Sequence, residues 1–178
     1  MRVMAAAAVL LTSTIAASAQ PALRPADRTA IDACLQREKD RPARCIGALY
    51  RACTEAPQKP DDPVPPGSTA GRGDCAEREI AVWEEKIDAS LKALRAGPLG
   101  KTPAQPWNRP DENKRAHAVP GTDIIDDMQR SWDLTRAKLC DTEALRYEEG
   151  TFARVVYATC INEQTAGHAL WLMKLEND

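Results

Sequence analysis

The stretch MQRSWDLTRAKLCDTEALRYEEGTFARVVYATC, residues 128–160, decides the fold. Cys140 stands ten residues before Gly150, and Cys160 stands ten residues after it. Suppose the chain turns at Gly150 between two antiparallel helices. A rise of 1.5 Å per residue then sets both cysteines at one height, about 15 Å from the turn. Helices packed about 8–10 Å apart bring small facing residues near the roughly 5–6 Å Cα separation of a disulfide. Symmetry about the turn therefore predicts Cys140–Cys160.

The same ruler works upstream. Cys34 and Cys45 centre on Lys39-Asp40, beside Arg41-Pro42, where the chain must turn. Cys53 and Cys75 centre on Val64, inside a proline-rich stretch. The simplest scheme is sequential: Cys34–Cys45, Cys53–Cys75 and Cys140–Cys160. Six cysteines allow 15 pairings, and the first four admit exchange because Cys45 and Cys53 share one short helix. Disulfides imply an oxidising compartment. A zinc site is the competing reading, but the chain has no C-x-x-C and its two histidines, His117 and His168, are far apart in sequence. No metal and no cofactor is expected.

The first residues, MRVMAAAAVLLTSTIAASAQ, agree with export. Arg2 precedes an apolar run, and Ala17-Ser18-Ala19 makes an A-x-A site before Gln20. Residues 1–19 read as a signal peptide cleaved near Ala19/Gln20, and the mature protein is expected to be periplasmic or secreted. No cysteine follows the apolar run to carry a lipid, and no later segment reaches the roughly 20 apolar residues of a membrane helix. Cleavage leaves 178 less 19, or 159 residues, enough for a single helical domain over 20–178. Loss of Arg2 leaves 23 Lys/Arg against 26 Asp/Glu, a net charge of −3. That mild acidity gives no sign of nucleic acid and permits a basic protein partner.

Strand signals are poor, and helical spacing recurs, so the fold class is all-α: a small disulfide-stapled bundle of about five helices with long Pro-rich loops. Asp27 can cap a first helix with Ile31, Cys34 and Leu35 on one face. Pro42 suits the first turn of a second, running through Cys45, Ile46, Leu49 and Cys53. APQKPDDPVPPGSTAGRG follows as a loop. In the third helix Ile80, Trp83, Ile87, Leu91 and Leu94 form one stripe, Asp74-x-x-Glu77 resembles a capping box, and Gly97-Pro98 ends it. Residues 97–121 form a long loop whose one aromatic residue, Trp107, is either folded back on the body or a contact for a partner. Thr122 can cap a fourth helix with Ile125, Met128, Trp132 and Leu139 inside. The last helix starts near Gly150-Thr151 and carries Phe152, Val155, Val156, Cys160 and Leu170 to Leu175.

Catalytic patterns are missing from the sequence. The mature chain has three serines, Ser68, Ser90 and Ser131, none in a G-x-S-x-G turn, and no cysteine remains if all six pair. Asp126-Asp127 and Glu148-Glu149 read as solvated faces, and His168 as a hydrogen-bonded structural histidine. An enzyme is not expected. Gln129, Trp132 and Arg136 are spaced by 3 and 4 and share one helical face. Arg136 can stack on the indole, which makes the trio either a structural stack or a recognition patch.

The pattern Q-x-x-W-x-x-x-R-x-x-x-C, a Gly-Thr turn and C-x-x-x-x-T resembles the lysozyme-inhibitor domain of the LprI type. The matching residues are Gln129, Trp132, Arg136, Cys140, Gly150, Thr151, Cys160 and Thr165. CAEREIAVWEEKIDASLKAL is similar through Cys75, Glu79 and Trp83. The chain departs from that pattern at Ile87, Asp88 and Leu91, where the family often has Leu-Asn and a following Tyr, and at His168, where it often has Arg. The resemblance implies an exported helical domain whose partner is a lysozyme that it blocks. The alternative is an envelope-associated interaction protein with another ligand.

Overall fold

The computed structural model describes residues 23–61, 63–102, 120–147 and 150–177. Trp107 and residues 1–19, expected to be a signal peptide, lie outside them. The described residues form six α-helices and two short 3-10 turns, with no strand. They are α1 (Pro25–Arg37), α2 (Ala48–Thr54), α3 (Thr69–Ala96), α4 (Pro98–Lys101), α5 (Gly121–Ala144) and α6 (Thr151–Asn177). The 3-10 turns are Pro42–Cys45 and Leu145–Tyr147.

Three long helices make the body. Arg95 of α3 bonds Asp126 of α5 at 2.8 Å, and Arg136 of α5 lies 3.6 Å from Glu84 of α3. As the chain numbers rise on one helix they fall on the other, so α3 and α5 are antiparallel. Cys140–Cys160 and the Trp132–His168 contact set α5 antiparallel to α6 in the same way. α3 and α6 therefore run parallel. Disulfides join Cys34 to Cys45, Cys53 to Cys75 and Cys140 to Cys160, with Cα separations of 5.8, 5.7 and 5.5 Å.

The core gathers Ile31, Leu49, Val82, Trp83, Ile87, Leu91, Leu94, Ile125, Ala166, Ala169 and Leu172. α3 faces α6 on one side and α1 and α2 on another. Its buried surface is wider than the single expected stripe: Cys75, Ala76, Glu79, Val82 and Ser90 join Trp83, Ile87, Leu91 and Leu94, while Ile80 is half-buried. α5 is the peripheral member and buries only Gly121, Ile125 and Cys140. Met128 and Trp132 are half-buried, but Leu139, expected inside, is 40% exposed. The stripe that α5 buries is narrow, and Leu139, one residue before buried Cys140, stays outside the core. Phe152 is likewise exposed, in the first turn of α6.

Helix boundaries differ from expectation for identifiable reasons. α3 begins five residues before Asp74, because Ser68 caps it and accepts from the Gly71 N–H at 3.1 Å. Gly71 is there for space: a Cβ would sit 2.1 Å from the Pro65 carbonyl oxygen. The expected second helix breaks at Gly47, whose φ of 74° is left-handed. Asp27 does not cap α1, whose N-cap position is Arg24. It turns inward instead and accepts from Arg78 Nε at 2.9 Å and Nη2 at 2.5 Å. That pairing raises the already high pKa of Arg78. Thr122 does not cap α5, which starts at Gly121. The Gly121 N–H donates to Thr102 O at 3.1 Å, and a Cβ on Gly121 would meet Leu99 O at 2.3 Å. The two ends of the 97–121 segment are thus in contact, and α4 occupies part of it.

Candidate functional site

Gln129, Trp132, Arg136 and Thr165 come together across the α5–α6 seam, and His168 joins them. The helices' register explains this. Positions equidistant from Gly150 face one another, and His168 lies as far after it as Trp132 lies before it. Their rings stack at 3.9 Å between centroids and 11° between planes. Arg136 places its guanidinium carbon 4.5 Å from the Trp132 ring centroid. Trp171, one α6 turn past His168, extends the column at 5.6 Å and 21°. A cation, an indole, an imidazole and a second indole therefore run along one seam.

Polar groups hold each ring in place. His168 Nε2 is 2.9 Å from Gln129 Oε1, and the Gln129 amide nitrogen donates to Asp133 Oδ1 at 3.3 Å. With the amide oxygen turned to the ring, Nε2 carries the proton and donates. Arg136 Nη1 donates to Thr165 Oγ1 at 2.7 Å, while Thr165 Oγ1 donates back to Ile161 O at 2.6 Å. Glu84 and Asp133 flank the guanidinium at 3.6 and 3.8 Å. Burial lowers the His168 pKa to about 4, with Asp133 opposing and Arg136 adding to the fall. The imidazole is therefore neutral at pH 7, which suits a ring packed between two indoles.

A cleft of about 370 Å³ lies beside this column, between α3 and α5. Glu84, Asp88 and Asp133 line it together with Arg95 and Arg136. Ile87, Asp88 and Leu91, at which the chain departs from the LprI pattern, are all on its wall. Most of its ionisable groups are engaged: Arg95 with Asp126, and Arg136 with Thr165, Glu84 and Asp133, while Asp88 has no ion-pair partner among the described residues. Arg136 Nε is buried without a hydrogen-bond acceptor among the described residues. Such an arrangement can orient helices and present carboxylates to solvent.

Glu79 and Trp83, the upstream part of the resemblance, serve a different task. Glu79 is fully buried. Its Oε1 accepts from the Gly47 N–H at 2.7 Å and from the Trp83 indole N–H at 3.0 Å. Oε2 accepts from the Tyr50 N–H at 2.7 Å. A carboxylate on α3 thus caps the N-terminus of α2 from outside that helix, satisfying amides that α2 leaves free. α2 has no side-chain cap of its own. Cys53–Cys75 ties the same two helices together a turn away.

Sequence spacing alone brought out Gln129, Trp132 and Arg136, but left His168 and Trp171 outside the group. The signal was available in the mirror relation about Gly150, the same one that pairs the cysteines. Trp107 lies outside the described residues. Among those residues no group of His, Cys, Asp and Glu could hold a metal ion, and no helix is long and apolar enough to cross a membrane. No curated protein matches the chain, and no solved structure does. A family model described as the lysozyme inhibitor LprI matches residues 60–172, which hold Glu79, Trp83 and the whole stacked column, and the chain belongs to that family.

Proposed function

We propose that the protein is an exported protein-binding module that inhibits a lysozyme. The observation that carries this reading is the family match over residues 60–172. The family is one of inhibitors, not of enzymes, and the titratable groups of the α5–α6 seam are engaged with one another. Three disulfides suit an extracytoplasmic compartment. Lysozymes are generally basic, and a chain of net charge −2 approaches them without repulsion. In this reading Gln129, Trp132, Arg136 and Thr165 build the scaffold, inhibition is by occlusion, and Trp107 is a candidate contact.

The test is direct. Purified, oxidised protein added to a c-type lysozyme at near-equal molar ratio should slow the clearing of a peptidoglycan suspension. No slowing at large excess discards the proposal. A second reading, an envelope interaction protein with another ligand, is favoured by Ile87, Asp88 and Leu91 on the cleft wall. A pull-down from envelope extract that recovers a different protein, together with a negative lysozyme assay, selects it.

A further inference from the structure

A second hollow lies at the opposite end of the α3–α5 seam from the cleft. The N-terminal turns of α3, the end of α5 and the start of α6 meet there around a groove of about 700 Å³. Ala70, Gly73, Ala144, Ala153 and Ala158 give it small, mostly apolar walls. At the other end of the same seam the bulkier Ile87, Leu91 and Trp132 leave only the smaller cleft of about 370 Å³. Tyr157 is the one aromatic side chain on its lining, and the small residues around it leave the gap open.

Gly73 is informative. It lies inside α3, where glycine costs about 0.5–1 kcal/mol relative to alanine. Two residues earlier Gly71 is forced by the Pro65 carbonyl, yet a Cβ on Gly73 would meet nothing within 4 Å among the described residues. Packing gives no reason for the glycine, and its absent side chain keeps the groove open.

Charge says what the groove suits. Asp74, Glu77 and Asp141 line it against one cation, Arg154. Elsewhere charges pair across helices: Arg28 with Glu85, Asp27 with Arg78, Lys86 with Asp32, Arg95 with Asp126. Asp74, Glu77, Asp141 and Arg154 make no ion pair among the described residues. Leu145, Tyr147 and Phe152, which neighbour the lining residues in the chain, are 76, 46 and 49% exposed. Tyr147 and Phe152 meet edge to face at 5.2 Å. Cys140–Cys160 fixes the two helix ends that carry Asp141, Tyr157 and Ala158. This is an apolar hollow with an acidic rim on a stapled frame.

We propose that this groove is the docking surface for the basic partner: it takes one large apolar side chain, while lysine or arginine residues beside that side chain meet Asp74, Glu77 and Asp141. The proposal rests on the reading of the chain as a binder of a basic protein, and names the surface that does the binding. Two peptides probe it on the full oxidised chain, one with tryptophan flanked by two lysines on each side, the other with glutamates in their place. In a ¹⁵N-labelled sample the lysine peptide shifts the amide signals of Gly73, Ala144 and Ala153, and the glutamate peptide does not. Equal shifts with both peptides, shifts confined to other residues, or no shifts overturn it.

A c-type lysozyme then provides the second arm. Gly73→Leu fills the groove at a position with open space and lowers affinity for lysozyme at least tenfold, with thermal unfolding unchanged or raised. The pair Asp74→Lys and Asp141→Lys, both at exposed positions, gives a loss of the same size and guards against misfolding of the first variant. Unchanged lysozyme binding by both variants rejects the groove and leaves the inhibitor reading standing. A wild-type chain that ignores lysozyme while the lysine peptide still shifts the groove signals does the reverse.

Discussion

Replacing Glu79 should be among the most damaging single changes available, although it removes a charge from the core. Its two oxygens receive three N–H donors at 2.7, 2.7 and 3.0 Å. Hydrogen bonds to a charged acceptor contribute about 1.5–3 kcal/mol each, and a buried donor left without a partner costs about 1–3 kcal/mol. Glu79→Ala orphans the Gly47 and Trp83 donors in the buried interior and leaves a cavity. The Tyr50 N–H is part-buried, so water can reach it in compensation. The sum is about 4 kcal/mol. Glu79→Gln is milder and more diagnostic. Its amide oxygen can take the place of Oε1 and keep two bonds, but its NH₂ then opposes the Tyr50 N–H, at about 2 kcal/mol. At about 2–4 °C per kcal/mol for a chain of this size, Tm falls by about 4–8 °C for Gln and twice that for Ala. Urea unfolding followed by circular dichroism at 222 nm gives the free energies. Amide exchange at Gly47 and Tyr50 locates them, because α2 should open first. An alanine variant within about 1 kcal/mol of wild type would show that the trans cap does not hold α2.

Other changes test other parts. His168 titrates near 6.5 when unfolded and is lowered to about 4 when folded, so its neutral form is the one the fold favours. Its contribution is complete above pH 6.5, is lost as pH falls through the interval to 4, and amounts to about 3 kcal/mol at 1.36 kcal/mol per pH unit. His168→Phe keeps a ring in the column and should remove that part of the pH dependence between 6.5 and 4; identical stability-versus-pH curves for the two proteins contradict the assignment. Gly71→Ala and Gly73→Ala should move thermal stability in opposite directions, the first down by more than about 2 kcal/mol through steric clash and the second up by about 0.5–1 kcal/mol. Serine at both Cys140 and Cys160 should cost about 3 kcal/mol, with exchange rising first along α5. Exchange that rises equally in α3 would mean α5 is not the weakly held helix.

The helical class and the hairpin were legible because both rest on spacing. Apolar residues recur at helical intervals in α3, and Cys140 and Cys160 are mirrored about Gly150. The boundaries were harder to read because they depend on contacts made at a distance. Nothing near Ser68 announces that the Pro65 carbonyl will crowd Gly71, so glycines that belong to a helix read as loop. The buried face of α3 turned out wider because α1 and α2 cover a second side, which periodicity within one helix cannot report. Asp27 looked like a cap and became the buried partner of Arg78, an outcome set 51 residues away. Leu139 has the right spacing to sit inside, but α5 is peripheral and buries only Gly121, Ile125 and Cys140, a stripe too narrow to cover it. The carboxylate role of Glu79 was hidden for the same reason: its donors lie on α2, and no pattern within α3 points to them.

The reflection of α5 onto α6 has an evolutionary corollary. Adding or deleting one residue between Trp132 and Cys140, or between Cys160 and His168, would rotate the positions beyond it by about 100°, so that the sulfur bridge and the ring column could no longer form together. The bend near Gly150 is under no such restriction, since both arms can stay in step whatever joins them. Among descendants of this chain, length changes should therefore collect at that bend, where a graft or reporter could also be spliced without disturbing the rest.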